Sequence, residues 1–176
     1  MFGVLAVKDS TGRIGFLRGA SGMLGGQWTP PGFVPPLFDM ARRQAFWPAG
    51  EAELTALGRS IDALPSGSRR AALIKRRAAR SRVLLRKIQD TYSIVSRGGN
   101  VQSLRGLFAP DLPPGGSGDC AAPKLLGYAN AHGLLPVALA EFWHGASTRT
   151  GTRHAGRFYA PCERKCRPIV SFMLQP

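Results

Sequence analysis

Hydrophobic residues open the chain as two short runs, FGVLAV and IGFL, separated by KDSTGR, a turn-forming stretch in which Gly12 can take positive φ. That pattern predicts a β-hairpin over residues 1–18. Across 19–36 the pattern dissolves into Gly and Pro (GASGMLGGQWTPPGFVPP), a loop that carries Trp28 and Phe33. Residues 37–45 predict a short helix ended by Trp47-Pro48, and Glu51 to Leu64 a second, stopped by Pro65-Ser66-Gly67. The clearest period lies in 69–97. Ile74, Ala78, Ser81, Leu85, Ile88, Tyr92 and Val95 recur at alternating spacings of four and three, the seam of a long helix that Gly98-Gly99 ends.

Beyond it, Asn100 to Phe108 predicts a short helix with Ser103 as N-cap, and 110–118 a linker. In 115–176, Asp119 is the candidate N-cap of a helix CAAPKLLGYANAHG closed by Gly133. LPVALAEFW predicts a strand, HGASTRTGTRHAGRFY a basic loop, and PCERKCRPIVSFML a final helix. Pro161 and Pro168 suit the start of that helix, where a missing N–H costs nothing. The expectation is one α/β domain over 1–176: a small mixed sheet with packed helices and one long basic helix.

Composition changes the picture in two ways. Hydrophobic content of 44% belongs to a globular chain, and no apolar run approaches the ~20 residues of a membrane span. The first residues lack both the basic region and the cleavage site of a secretory leader, so the expected compartment is the cytoplasm. Charge is the stronger signal. Lys and Arg number 24 against 10 Asp and Glu, a net of +14, which favours a polyanionic partner, nucleic acid first.

The cations cluster. Arg76, Arg77, Arg80, Arg86 and Lys87 lie on the 69–97 helix with Asp90 as the sole acid, a candidate phosphate-tracking surface whose alternative is a solvated helix face. Arg149, Arg153, Arg157, Arg164, Lys165 and Arg167 form a second group, interleaved with Phe142, Trp143, Phe158 and Tyr159. Basic charge among aromatics is the composition of a single-strand RNA surface, and equally of a core edge. Lys124 is a further candidate, facing phosphate, the metal region or solvent.

All three cysteines, Cys120, Cys162 and Cys166, fall in the last third. An odd, small number in a reducing compartment points to metal or free thiols rather than to a disulfide framework. Helix N-termini lower thiol pKa, so Cys120 opening one helix and Cys162 and Cys166 opening another make a candidate zinc site. Three ordinary buried cysteines are the alternative. His132, His144 and His154 are candidate fourth ligands, with His132 better placed to cap its helix. No Gly-rich segment matches a P-loop.

Two resemblances enter at these residues. The opening MFGVLAVKDSTGRIGFL, the segments GFVPPLFD and RAARSRVLLRKIQDTY, and the blocks GDCAAPKLL, AEFWHG and FYAPCERKC resemble the N-terminal region of long bacterial RluA-type pseudouridine synthases, over essentially the whole chain. The resemblance implies an RNA-modification accessory whose partner is ribosomal or transfer RNA, structured or single-stranded. The isomerase signature, an Asp within His-Arg-Leu-Asp, is absent, and Asp62 in SIDALPSG has the wrong context. The resembled proteins continue into a catalytic domain where this sequence ends, which implies a fragmentary product.

The order hairpin, Cys120 helix, strand, Pro161-Cys162 helix also resembles the zinc nucleobase (cytidine) deaminases. Ala122 stands where that superfamily has its essential Glu, and the second pair is Cys-x3-Cys rather than Cys-x2-Cys. Glu141 is the nearby acid that could substitute as the catalytic group, its other role being a structural hydrogen-bond acceptor. The resemblances imply a zinc-stabilised RNA-binding accessory first and a zinc-dependent deaminase second. The seam of the long helix leaves a third reading, a coiled-coil partner module.

Overall fold

A computed structural model describes residues 1–148 and 150–176; Arg149, placed above in the second basic cluster, lies outside the described residues. Its elements in chain order are β1 (Phe2–Lys8), β2 (Ile14–Ala20), α1 (Met40–Gln44), α2 (Trp47–Asp62), α3 (Ser68–Gln89), β3 (Ser93–Val95), β4 (Val101–Ser103), α4 (Ala121–Ala131), β5 (Leu135–Phe142) and α5 (Arg167–Met173). They fall into two compact units, one made of residues 1–37 and 93–176, the other of 38–92. No helix among the described residues is long and apolar enough to cross a membrane.

The first unit is built on a three-stranded sheet of order β2-β1-β5. The mixed sheet expected from sequence is instead antiparallel throughout: β1 pairs antiparallel with β2 from Phe2↔Ala20 to Lys8↔Ile14, and with β5 from Phe2↔Phe142 to Lys8↔Leu135. A hairpin as short as Asp9–Arg13 joins only antiparallel neighbours, and α4 returns the chain so that β5 runs against β1. Alternation then puts Gly3, Leu5 and Val7 on one face, and α4 closes it. The approach is close: a Cβ at Gly3 would come within 2.9 Å of both Ala121 Cβ and Leu125 Cδ1. Ala121, Ala122, Leu125, Leu126 and Ala129 are all buried in the core so formed.

Beside it, β3 and β4 make a two-stranded ladder, where sequence reasoning expected the end of the long helix and a short further helix. The helix stops at Gln89 because Thr91 Oγ1 donates to Ile88 O (2.6 Å), and Gly99 at φ 84 turns the chain back so that Ser96 N–H bonds Asn100 O. Ser103, the expected helix cap, ends β4 instead: its Oγ accepts from Gly106 N–H at 3.0 Å, but the single 3-10 turn Gly106–Phe108 that follows begins after Arg105 without a side-chain cap. Asn130 Nδ2 donates to Val95 O and Met173 O, both 2.9 Å, and so ties α4 to β3 and α5.

The second unit is α1, α2 and α3. Pro48 sits in the first turn of α2, so Trp47-Pro48 begins a helix as well as ending the approach to it. α2 and α3 pack through Gly50, where a Cβ would fall 2.6 Å from Leu84 Cδ1. That contact selects the buried stripe. Leu84, Leu57 and Ile61 are buried, whereas Ile74 of the expected seam is 43% exposed and Ser81 is exposed.

Candidate functional site

The three cysteines come together at the start of α4. Cys120 is the N-cap of that helix, with extended backbone (φ −72°, ψ 159°), and its side chain does not cap. The first helical N–H groups find other acceptors: Ser21 Oγ takes Ala121 N–H at 3.2 Å and Glu141 Oε1 takes Ala122 N–H at 3.0 Å. The Cys120 thiol is therefore left to the other cysteines. Cys162 does not open a helix, contrary to expectation. A turn closed by Cys166 N–H to Cys162 O (3.1 Å) precedes α5, of which Cys166 is the N-cap. Pro168, not Pro161, marks the first helical turn.

Cys162 Sγ donates to Cys166 Sγ at 3.6 Å, and Cys120 and Cys166 are near enough to shift each other's titration. The Cys166 thiol lowers the Cys120 pKa; burial and the charges of Glu141 and Asp119 oppose it, while Lys165 assists. Cys120 and burial push Cys166 upward. Among the described residues, no group of three or more His, Cys, Asp or Glu side chains is placed to hold a metal ion. All three cysteines are free thiols, with Cys162 and Cys166 hydrogen-bonded to each other.

Glu141 is 5% exposed, and burial raises its carboxyl above the ordinary carboxylate range against the opposing Ala122 N–H. It borders a cleft of about 500 Å³ lined also by Phe158, Tyr159 and Pro161. Tyr159 is held there by its N–H to Glu141 O (2.9 Å) and by Arg153, whose guanidinium lies 4.5 Å above its ring. His132 caps the far end of α4 and bonds Tyr128 O through Nδ1 at 2.8 Å; His144 packs edge-on to Phe2 at 5.5 Å; His154 is exposed.

Among the expected nucleic-acid residues, Lys124 requires correction. It is 1% exposed, and its Nζ donates to Ala20 O (2.9 Å) and Gly22 O (2.8 Å) beneath the Trp28 ring. An ammonium so enclosed is a structural tie between α4 and the end of β2, out of reach of a phosphate or of solvent. Trp28 is half-buried, its ring centroid 5.4 Å from Lys124 Nζ. Arg80 forms a bidentate pair with Glu53 (2.8 and 2.9 Å), and Arg77 Nε donates to Leu54 O at 3.3 Å, so α3 finds on α2 the acceptors it lacks on its own faces. Arg76 and Arg86 are exposed, and Lys87 Nζ lies 5.9 Å from the Phe46 ring. In the first unit Arg157 and Arg164 are exposed and Lys165 is half-buried near Cys120. Sequence reasoning missed the contribution of Ser21, whose one available signal was its place beside the strand end at Ala20.

Comparison with known proteins gives no match: no family model, curated protein or solved structure is significantly similar to this chain.

Proposed function

We propose that this chain is a zinc-stabilised RNA-binding module of the kind that accompanies RluA-type pseudouridine synthases in the cytoplasm, without isomerase chemistry of its own. The convergence of Cys120, Cys162 and Cys166 from segments some forty residues apart carries the reading. The donor set fits zinc in chemistry. Zn–S bonds of ~2.3 Å in a tetrahedron set sulphur atoms about 3.8 Å apart, close to the 3.6 Å of the Cys162–Cys166 pair. Zinc held by the three thiolates would cross-link the start of α4 to the turn before α5. The net charge of +14, with Arg76, Arg86, Arg157 and Arg164 exposed, supports the polyanionic partner.

Elemental analysis of wild type and Cys162→Ser, with RNA binding followed across salt, tests this. The expected result is one zinc per chain, lost in the variant, and an RNA affinity falling with a log–log salt slope of about −3 or steeper, as four neutralised phosphates require. A metal-free wild type that folds cooperatively removes zinc from the reading; salt-independent binding removes the RNA.

One observation favours a second reading, a zinc-dependent nucleobase deaminase. The Glu141 carboxyl reaches the first turn of α4 at Ala122, two residues beyond Cys120, and burial favours its protonated form. A carboxyl there could hold and move a proton at the mouth of the cleft. The hairpin, α4, β5 and cysteine-turn order supports a deaminase-like layout. Turnover of cytosine or adenine in RNA that vanishes in Glu141→Gln, with zinc content retained, is the expected signature; unchanged turnover excludes Glu141.

A further inference from the structure

The two faces of the β2-β1-β5 sheet differ. α4 closes the face carrying Leu5 and Val7. Pairing and alternation assign Val4, Ala6, Ala138 and Ala140 to the opposite face, where the two alanines of β5 are exposed. These small side chains make a flat floor. Along one end runs a row of rings: Phe33 and Phe2 at 6.0 Å, Phe2 and Phe142 at 6.1 Å, Phe142 and Phe158 at 5.9 Å. Phe16, opposite Ala6, stands at the β2 side.

Packing explains the inner rings, which are half-buried. It does not explain Phe16 and Phe158, exposed at 71% and 70%. Whatever covers them must accept a basic rim, since the Arg18 guanidinium lies 5.6 Å from the Phe33 ring and Arg157 is exposed beside Phe158. A second copy of a chain carrying +14 meets repulsion; a strand with phosphates outside and flat bases inside meets complementary charge and flat apolar area.

We propose that this open face is a stacking platform for unpaired bases of single-stranded RNA, with Phe158 and Phe16 as its outer rings and Arg18 and Arg157 on the phosphates. The proposal rests on the RNA-binding reading above and adds to it where the bases go.

Fluorescence anisotropy with a short oligouridylate, and with an abasic sugar-phosphate strand of equal length, tests it on the full chain. Wild type should prefer the base-bearing strand. Phe158→Ala and Phe16→Ala should each weaken that strand about 5- to 100-fold while leaving abasic binding and thermal unfolding unchanged, and Phe158→Trp should restore it. Equal wild-type affinity for the two strands overturns the platform but leaves phosphate-driven RNA binding standing. Alanine variants that bind the oligouridylate as wild type does also overturn it. A wild-type dimer by sedimentation that Phe158→Ala dissolves assigns the face to a protein interface. No binding to either strand at low salt ends the RNA reading itself, and the platform with it.

Discussion

The core of the sheet unit and helix α3 of the helical unit handle charge in opposite ways. In the sheet unit, Lys124 and Glu141 are buried, and each is fixed by named partners: two carbonyls and an indole for the lysine, a helix N–H for the carboxyl. In the helical unit Arg80, Arg77 and Arg70 of α3 are partnered by Glu53 or by backbone carbonyls of α2, and Arg76 and Arg86 are exposed. A buried charge acts by geometry, because removing its partner leaves an orphan in low dielectric. A surface charge acts through the field it adds to, which salt screens. The buried charges of the sheet unit should therefore answer to mutation in stability, and the exposed charges of α3 in salt-dependent binding.

Lys124 gives the largest expected effect. Lys124→Ala removes two charged hydrogen bonds and a fully buried stem, and should lower unfolding free energy by about 3–5 kcal/mol. Lys124→Met keeps the stem but leaves Ala20 O and Gly22 O without this donor, so a smaller loss of about 1–3 kcal/mol follows. Urea titration resolves the two. Arg76→Ala on α3, measured beside them, should leave the midpoint in place; a loss comparable to that of Lys124→Ala would erase the contrast between the units.

Glu141 comes next. Glu141→Ala leaves Ala122 N–H without its acceptor and should cost about 1–2 kcal/mol. Glu141→Gln keeps an acceptor oxygen and removes the buried charge. The wild-type carboxyl is raised in the folded state, so folding favours its protonated form. Its contribution is most favourable at low pH and is lost as pH rises from the unfolded carboxylate pKa through the raised folded value. Metal-free Glu141→Gln should lack that decline, and a parallel pH profile would show the carboxyl to be unshifted.

The helical unit answers in binding. Arg76→Gln and Arg86→Gln should each flatten the salt slope by about 0.7 for every single-strand phosphate left without its arginine, with folding unchanged. Arg80→Gln should do less, since Glu53 already holds that guanidinium. An equal effect from all three would mean that the Glu53 pair opens on binding.

The legible parts of this fold were those whose signal is local. The N-terminal hairpin, α4 with its close at Gly133, and β5 follow from short apolar runs and turn residues. The buried stripe of α3 was not local: Gly50 on α2 decides that Leu84 faces inward, and Ile74 and Ser81 follow outward. The period running on through Tyr92 and Val95 hid the β3–β4 ladder, because spacings of three and four do not report where a backbone leaves the helix. Proline marked a helix start correctly at Pro168 and misleadingly at Pro161. Lys124, expected to face phosphate, the metal region or solvent, is instead buried. Its neighbours from Ala121 to Leu126 are otherwise apolar and all buried, and a lysine within such a run is the available hint that carbonyls await it.

The smallest expected effect lies in the β1–β2 turn, where an exposed charge behaves locally like a buried one. Asp9 accepts from Thr11 N–H (2.9 Å), Thr11 Oγ1 (2.7 Å), Arg13 N–H (3.0 Å) and Arg13 Nε (2.9 Å). The hydrogen bond from Thr11 leads in holding its carboxyl down at about 2, with Arg13 assisting. Because the folded value lies below the ordinary 3.8, the turn gains from the carboxylate above that pH and loses it as pH falls through about 2. Carboxyl-detected NMR should show Asp9 titrating near 2, and Thr11→Ala should move it back toward the ordinary value. Added salt should matter little, because hydrogen bonds within one turn are screened far less than charges a Debye length apart. A strongly salt-dependent shift would instead assign the effect to the +14 field of the whole chain, and the division between geometry and field would then fail at its most local point.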